Sequence, residues 1–197
     1  MFQSEIAKEE INKLEVRQFE GEIRVIEDHD TFRKEIREIR KYEVLGFDTE
    51  TKPAFRKGVN NKIALIQISN SDVAWLIRVN KIGVPLELRE LLEDESLLKI
   101  GAGLLDDMKR LRKVTRFEPG GFLDLQKYVE AFQIDSKSLK KMVAIVLGYK
   151  ISKSQQMSNW EGDVLTEKQQ RYAATDAWVC LEIYNTLRNS IHITNHE

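Results

Sequence analysis

Apolar positions along the first hundred residues follow two different periods. Within 5–19 Ile6, Ile11 and Leu14 recur near helical spacing, and within 30–42 Phe32, Ile36 and Ile39 do the same, each set among charged residues. Two charged amphipathic helices are predicted there. Between them, Glu22 to Ile26 alternates polar and apolar as a short strand does. Val44 to Phe47 is a short apolar run of the kind a buried strand carries. Lys62 to Ser69 alternates strongly, with Ile63, Leu65 and Gln67 on one side and Ala64, Ile66 and Ile68 on the other. The turn-like Ser69 to Asp72 and the apolar Val73 to Ile77 make that region a predicted hairpin. A helix is predicted over 84–92, entered near Pro85, and a strand over 97–100. Helices then dominate, at roughly 104–114, 124–133, 138–147 and 166–189. With no repeat, low-complexity tract or Gly/Ser linker, strands early and helices late predict one mixed α/β domain over 1–197.

Composition narrows this picture. The chain has 197 residues, 42% hydrophobic and 32% charged, which suits a soluble domain with a sizeable core and argues against wholesale disorder. No apolar run reaches the ~18 residues needed to span a membrane. Met1 to Glu20 is rich in Glu and Lys and lacks a signal-peptide core. Cys180 is the only cysteine, which excludes an intramolecular disulfide and a Cys-based zinc site. The expectation is a cytoplasmic protein, or a nuclear one in a eukaryote, with no membrane partner.

The net charge of −1 does not announce a nucleic-acid binder, but its distribution is uneven. Residues 1–50 carry nine Lys/Arg against fourteen Asp/Glu, whereas 99–153 carry twelve against six. A basic stretch can attract a polyanion locally. A solvated helical surface has the same composition, so charge alone leaves both open.

Three acidic clusters sit where a carboxylate is costly. Asp48-Thr49-Glu50 follows the apolar run Val44 to Phe47, and strand alternation projects Asp48 and Glu50 to one side. Two such carboxylates repel unless a hard cation lies between them; a solvated loop after a strand end is the equal alternative. Asp106-Asp107 follows Gly101-Ala102-Gly103. The two glycines permit close backbone approach but make no dinucleotide fingerprint, and a plain strand-to-helix turn also needs them. On a wheel from Leu104, Asp107 falls at the edge of the apolar face, while Asp106 falls on the far side, able to pair with Arg110. Tyr172 and Asp176 share a helical stripe with Val179, Cys180, Ile183 and Leu187. Asp176 therefore faces inward, and no Lys or Arg shares its stripe. It needs either a cation or a hydrogen bond from the buried tyrosine.

Taken jointly, these residues resemble the DEDD superfamily of 3′→5′ exonucleases, in its DEDDy branch. Phe47-Asp48-Thr49-Glu50, with Ala64 to Ile68 after it, is similar to the first exonuclease motif. Ile100 to Asp107 is similar to the second, and Tyr172 to Ala177 to the third, with Leu165, Thr166 and Gln169 leading in and Ser158-Asn159-Trp160 upstream. The likeness runs from about 44 to 187, leaving 1–43 as a helical and strand extension. The Gly-Ala-Gly of the second motif is closer to the Werner-syndrome type than to ribonuclease D. The C-terminal modules that usually follow in ribonuclease D are not expected here. Arg171 stands where a histidine-type relative has His, and His29, His192 and His196 lie away from the motifs, as the tyrosine type implies.

The resemblance implies a ribonuclease H-like fold, a mixed central sheet flanked by helices. It implies a hydrolase that removes nucleoside 5′-monophosphates from nucleic acid 3′ ends, DNA favoured over RNA, with two Mg²⁺ or Mn²⁺ ions. Asp48 is expected to bridge both ions, Glu50 and Asp176 to complete the water-activating site, Asp107 to hold the second ion, and Tyr172 to orient the attacking water. Gly101 and Gly103 are candidates for approach to the terminal nucleotide. Trp160 and Phe55 are candidates for base stacking or core packing, and Arg56, Lys57, Lys150 and Lys153 for phosphate contact or plain solvation. Two alternatives keep the fold: a ribonuclease D-like RNA trimmer, and an inactive module that only binds.

Overall fold

A computed structural model describes residues 2–53 and 61–194, with side chains up to 191. Six strands form one sheet: β1 (Glu22–Ile26), β2 (Val44–Thr51), β3 (Ile63–Ser69), β4 (Val73–Ile77), β5 (Leu98–Gly101) and β6 (Phe122–Asp124). Their order is β1-β4-β3-β2-β5-β6. β3 runs antiparallel to both β2 and β4, while β1–β4, β2–β5 and β5–β6 are parallel. The sheet is thus mixed, as the sequence predicts. The hairpin at Ser69 to Asp72 closes where Asn70 Oδ1 accepts from the Asp72 and Val73 amides at 2.7 and 2.6 Å.

Alternation along the strands builds two cores. On one face Leu45, Phe47, Ile66, Ile68, Trp75 and Ile77 meet α2 (His29–Ile39), α4 (Leu86–Glu93) and α5 (Leu104–Leu111). The opposite face carries Leu65, Leu76 and Ile100 under α8 (Glu167–Thr194) and α7 (Leu139–Leu147). The edge strand β1 joins this sheet beside β4, and α2 is packed into the first core, so residues before 44 contribute to both. Short helices α1 (Lys8–Lys13), α3 (Val79–Ile82) and α6 (Leu125–Tyr128), the last continued by a 3₁₀ turn, complete the described chain. Among the described residues no helix is long and apolar enough to cross a membrane.

Several elements differ from expectation. The helix predicted over 5–19 stops at Lys13, because Val16 bridges Lys150 and the Arg17 amide donates to the Lys150 carbonyl at 2.9 Å. The apolar run at 44–47 continues as strand to Thr51, which places Asp48 and Glu50 within β2 rather than beyond it. The helix predicted over 124–133 is preceded by β6, whose three residues find their partner in distant β5.

Candidate active site

β2 pairs with β5 only from Val44 to Gly46, and with β3 from Gly46 to Thr51. Beyond Gly46 its free edge overhangs the end of β5, and a cleft opens there. Asp48 and Glu50 project from this overhang toward α8. The helix can come close because Gly46 has no side chain: a Cβ there would lie 1.9 Å from the Ala177 carbonyl oxygen. That close approach delivers Asp176, one residue before Ala177. Ligand oxygens of Asp48, Glu50 and Asp176 lie within 4.8 Å of one another.

Asp107 arrives from the opposite face, on α5. It lies outside the group of three and is held by a hydrogen bond from the Thr49 hydroxyl. The chain turns sharply before it. At Gly101 a Cβ would sit 2.9 Å from the Phe47 carbonyl and 2.5 Å from Leu104, and Gly103 takes φ 75° as the left-handed entry to α5. The helix start is tied down by Asp124 of β6, whose carboxylate accepts from the Gly103 and Leu104 amides at 3.0 and 2.9 Å. Sequence reasoning assigned no role to Asp124 or Thr49, because each acts on a residue distant in the sequence. Both glycines are accounted for by this packing. Asp106 is exposed and pairs with Lys109 at 3.1 Å, not with Arg110 as expected; Arg110 reaches Thr51 instead.

Burial sets the electrostatics. It pushes the Asp48 carboxyl well above its ordinary value, with the Asp176 and Asp107 charges adding to the effect. Glu50 is raised by the same burial and then by Asp48. Asp107 is pushed up to about 6 by burial, against the Thr49 hydrogen bond. Asp176 is pushed up to about 7 by burial, opposed by its hydrogen bond from Tyr172 and by the Lys153 charge. The Tyr172 hydroxyl is itself raised by burial and by Asp176. Carboxylates this close hold protons or a cation. An all-oxygen donor set without His or Cys suits a hard divalent ion, so the residues present fit the expected metal.

The cleft on the β2 and α8 carboxylates has a volume of about 300 Å³, and Asp107 is not among its lining residues. Its lining brings together Asp48, Glu50, Tyr172, Asp176 and Lys153, and adds Lys140, which sequence reasoning did not single out. Other predicted contacts fall elsewhere. Trp160 is fully buried among Leu65, Leu76 and Leu165, its ring 6.0 Å from Tyr172, which leaves it no surface for a base. Lys150 donates to the Asn12 carbonyl at the end of α1. Phe55, Arg56 and Lys57 lie outside the described residues. Lys99, counted in the basic stretch, is buried and donates to the Leu91, Asp94 and Leu97 carbonyls at 3.0, 2.8 and 2.7 Å.

A sequence model of the family described as 3′-5′ exonuclease matches residues 23–192. Over 159 residues the chain is 34% identical to the bifunctional 3′-5′ exonuclease/ATP-dependent helicase WRN of Mus musculus, covering 75% of this chain and 11% of that protein. It is 30% identical over 161 residues to a 3′-5′ exonuclease of Arabidopsis thaliana, covering 74% of this chain and 52% of that one. The chain therefore spans about half or less of these relatives' lengths. Among solved structures, the EXO domain of Aedes aegypti Nibbler matches with a TM-score of 0.78 at 27% identity, covering 91% of this chain and 93% of that chain. Ribonuclease D of Trypanosoma brucei in complex with RNA U12 matches at 0.77 and 20% identity, over 86% of this chain and 63% of that one. The shared architecture is the ribonuclease H-like mixed sheet flanked by helices.

Proposed function

This chain belongs to the 3′-5′ exonuclease family, and on that premise we propose that it hydrolyses the terminal phosphodiester at the 3′ end of a nucleic acid strand and releases nucleoside 5′-monophosphates. The observation that carries this reading is the convergence of Asp48, Glu50 and Asp176 within 4.8 Å in an open cleft. Asp48, Glu50 and Asp176 would hold one divalent ion, Mg²⁺ or Mn²⁺, and Asp107 would help to hold a second. Bound there, the ions lower the pKa of water and offset charge on the phosphoryl oxygens. Tyr172, hydrogen-bonded to Asp176, orients the attacking water rather than ligating metal. Lys153, in the same lining, is placed to meet a phosphate as a point charge.

DNA is the favoured strand and RNA the alternative; both use the same carboxylates. An inert binding module is disfavoured because the four carboxylates and Tyr172 are all present. The test is end blocking. An internally labelled strand with a bulky 3′ group should resist digestion in Mg²⁺, and the same strand with a 5′ block should be shortened normally. Equal protection by the 5′ block would contradict 3′ entry.

A further inference from the structure

Gln67 is a polar side chain in an apolar place. It is 0% exposed, and neither Nε2 nor Oε1 has a hydrogen-bond partner among the protein atoms. A buried amide left unpaired lowers stability, and native proteins retain one where it does something else. Its neighbours narrow what that is. β3 pairs Gln67 directly with Asp48 on β2 and with Leu76 on β4. Cross-strand partners share a face with Cβ atoms about 5 Å apart, within reach of a glutamine. Along β3, Leu65 is apolar, and the Ser69 hydroxyl already donates to the Asn70 carbonyl at 2.7 Å. Above lies α8, whose Ala173 packs with Leu65 and Leu76 and whose Ala177 lies on Gly46; its Tyr172 and Asp176, already hydrogen-bonded to each other, face the same cleft. Of the residues flanking Gln67 in the sheet, Asp48 is therefore the one with carboxylate oxygens to offer.

We propose that Gln67 is a positioning residue for Asp48: its amide N–H donates to the Asp48 carboxylate when that carboxylate holds a cation, fixing which oxygen faces the metal. The inference rests on the functional reading above, since it needs Asp48 to be a ligand. A metal-binding carboxylate is oriented by a hydrogen bond from outside the coordination sphere, and losing such a partner typically weakens affinity about 10–100-fold. The metal-free protein carries the cost of the unpaired amide, and the metal-bound protein recovers the N–H part of it.

The experiment uses Mn²⁺ titrated into the full chain, followed by electron paramagnetic resonance, with the Tm of the metal-free protein measured alongside. Gln67→Met keeps the volume and removes the hydrogen-bonding groups; Gln67→Leu is the second variant. The expected result is Mn²⁺ affinity at least about tenfold weaker, with a metal-free Tm equal to or above that of the unsubstituted chain. Unchanged affinity with a raised Tm would make Gln67 an idle core amide and overturn the proposal. Failure of both variants to fold would overturn it too, because the amide would then be supporting the metal-free fold. If the unsubstituted chain bound no Mn²⁺ at all, the functional reading itself would fail, a result distinct from either of these.

Discussion

Asp106 and Asp107 differ by one helical step of about 100°, and that step separates a surface ion pair from the candidate site. Asp106 is exposed and paired with Lys109, an interaction of the kind worth about 0.3–0.5 kcal/mol. Asp107 is half-buried against Thr49 and raises the proton affinity of Asp48. Asp107→Asn should therefore lower turnover by about 10²-fold or more, a loss of roughly 2.7 kcal/mol of transition-state stabilisation. Asp106→Asn should leave turnover nearly unchanged. Rates of both variants at saturating Mg²⁺, after circular dichroism confirms folding, decide it; a crippled Asp106→Asn beside an active Asp107→Asn would reverse the assignment. Tyr172→Phe keeps the ring packed near Trp160 and removes the hydroxyl. Turnover should fall about 10²-fold while Mn²⁺ affinity, read by calorimetry, changes little. Loss of metal binding along with activity would make Tyr172 a structural residue.

At the scale of elements, the site depends on how closely α8 lies on β2. Gly46→Ala would put a Cβ 1.9 Å from the Ala177 carbonyl, a clash with backbone that no rotamer relieves. The helix must move, and Asp176 moves with it. Overpacking of this kind typically costs about 1–3 kcal/mol, so the Tm should fall by several degrees and Mn²⁺ affinity should fall with it. A variant with unchanged Tm and affinity would show that the contact does not set the distance between Asp176 and Asp48. The sequence carried β1 to β5 and the long last helix because their apolar periods are local. It also carried the inward stripe of Tyr172 and Asp176, since i and i+4 on a helix need no knowledge of the fold. Other features were invisible for a physical reason: they are decided by distant partners. Strand β6 has three residues and exists through pairing with β5. The helix expected to reach residue 19 ends early because Val16 meets Lys150. Gly46 did carry a readable signal, a lone glycine in an apolar strand, which marks close backbone approach. Gln67 read as one more alternating position, and its meaning appeared only with the register that sets it opposite Asp48.

Across the whole molecule, the raised carboxylates link stability to pH and to metal. Asp107 and Asp176 have ordinary values near 3.8 but titrate in the folded state at about 6 and about 7. Between roughly pH 4 and those values the folded state binds more protons than the unfolded one, so unfolding free energy falls as pH rises through this window. Each tenfold change in proton affinity corresponds to about 1.4 kcal/mol, or about 2–4 °C per kcal/mol in Tm at this chain length. For these groups the metal-free Tm should decline from pH 5 to pH 8. Saturating Mn²⁺ binds the ionised cluster and should raise Tm more at pH 8 than at pH 5; an equal rise at both would contradict the linkage.

The most direct test of the account is digestion of matched 5′-labelled DNA and RNA strands by the unsubstituted chain and by Asp48→Ala, each with Mg²⁺, with Mn²⁺ and with chelator. The expected result is a ladder of 5′-labelled products shortened from the 3′ end, nucleoside 5′-monophosphates as the released species, and no digestion in chelator. Digestion by Asp48→Ala should be at least about 10³-fold slower, on the scale of losing a metal that stabilises the transition state by several kcal/mol. Digestion by Asp48→Ala at a near-normal rate, or digestion that persists in chelator, would contradict it.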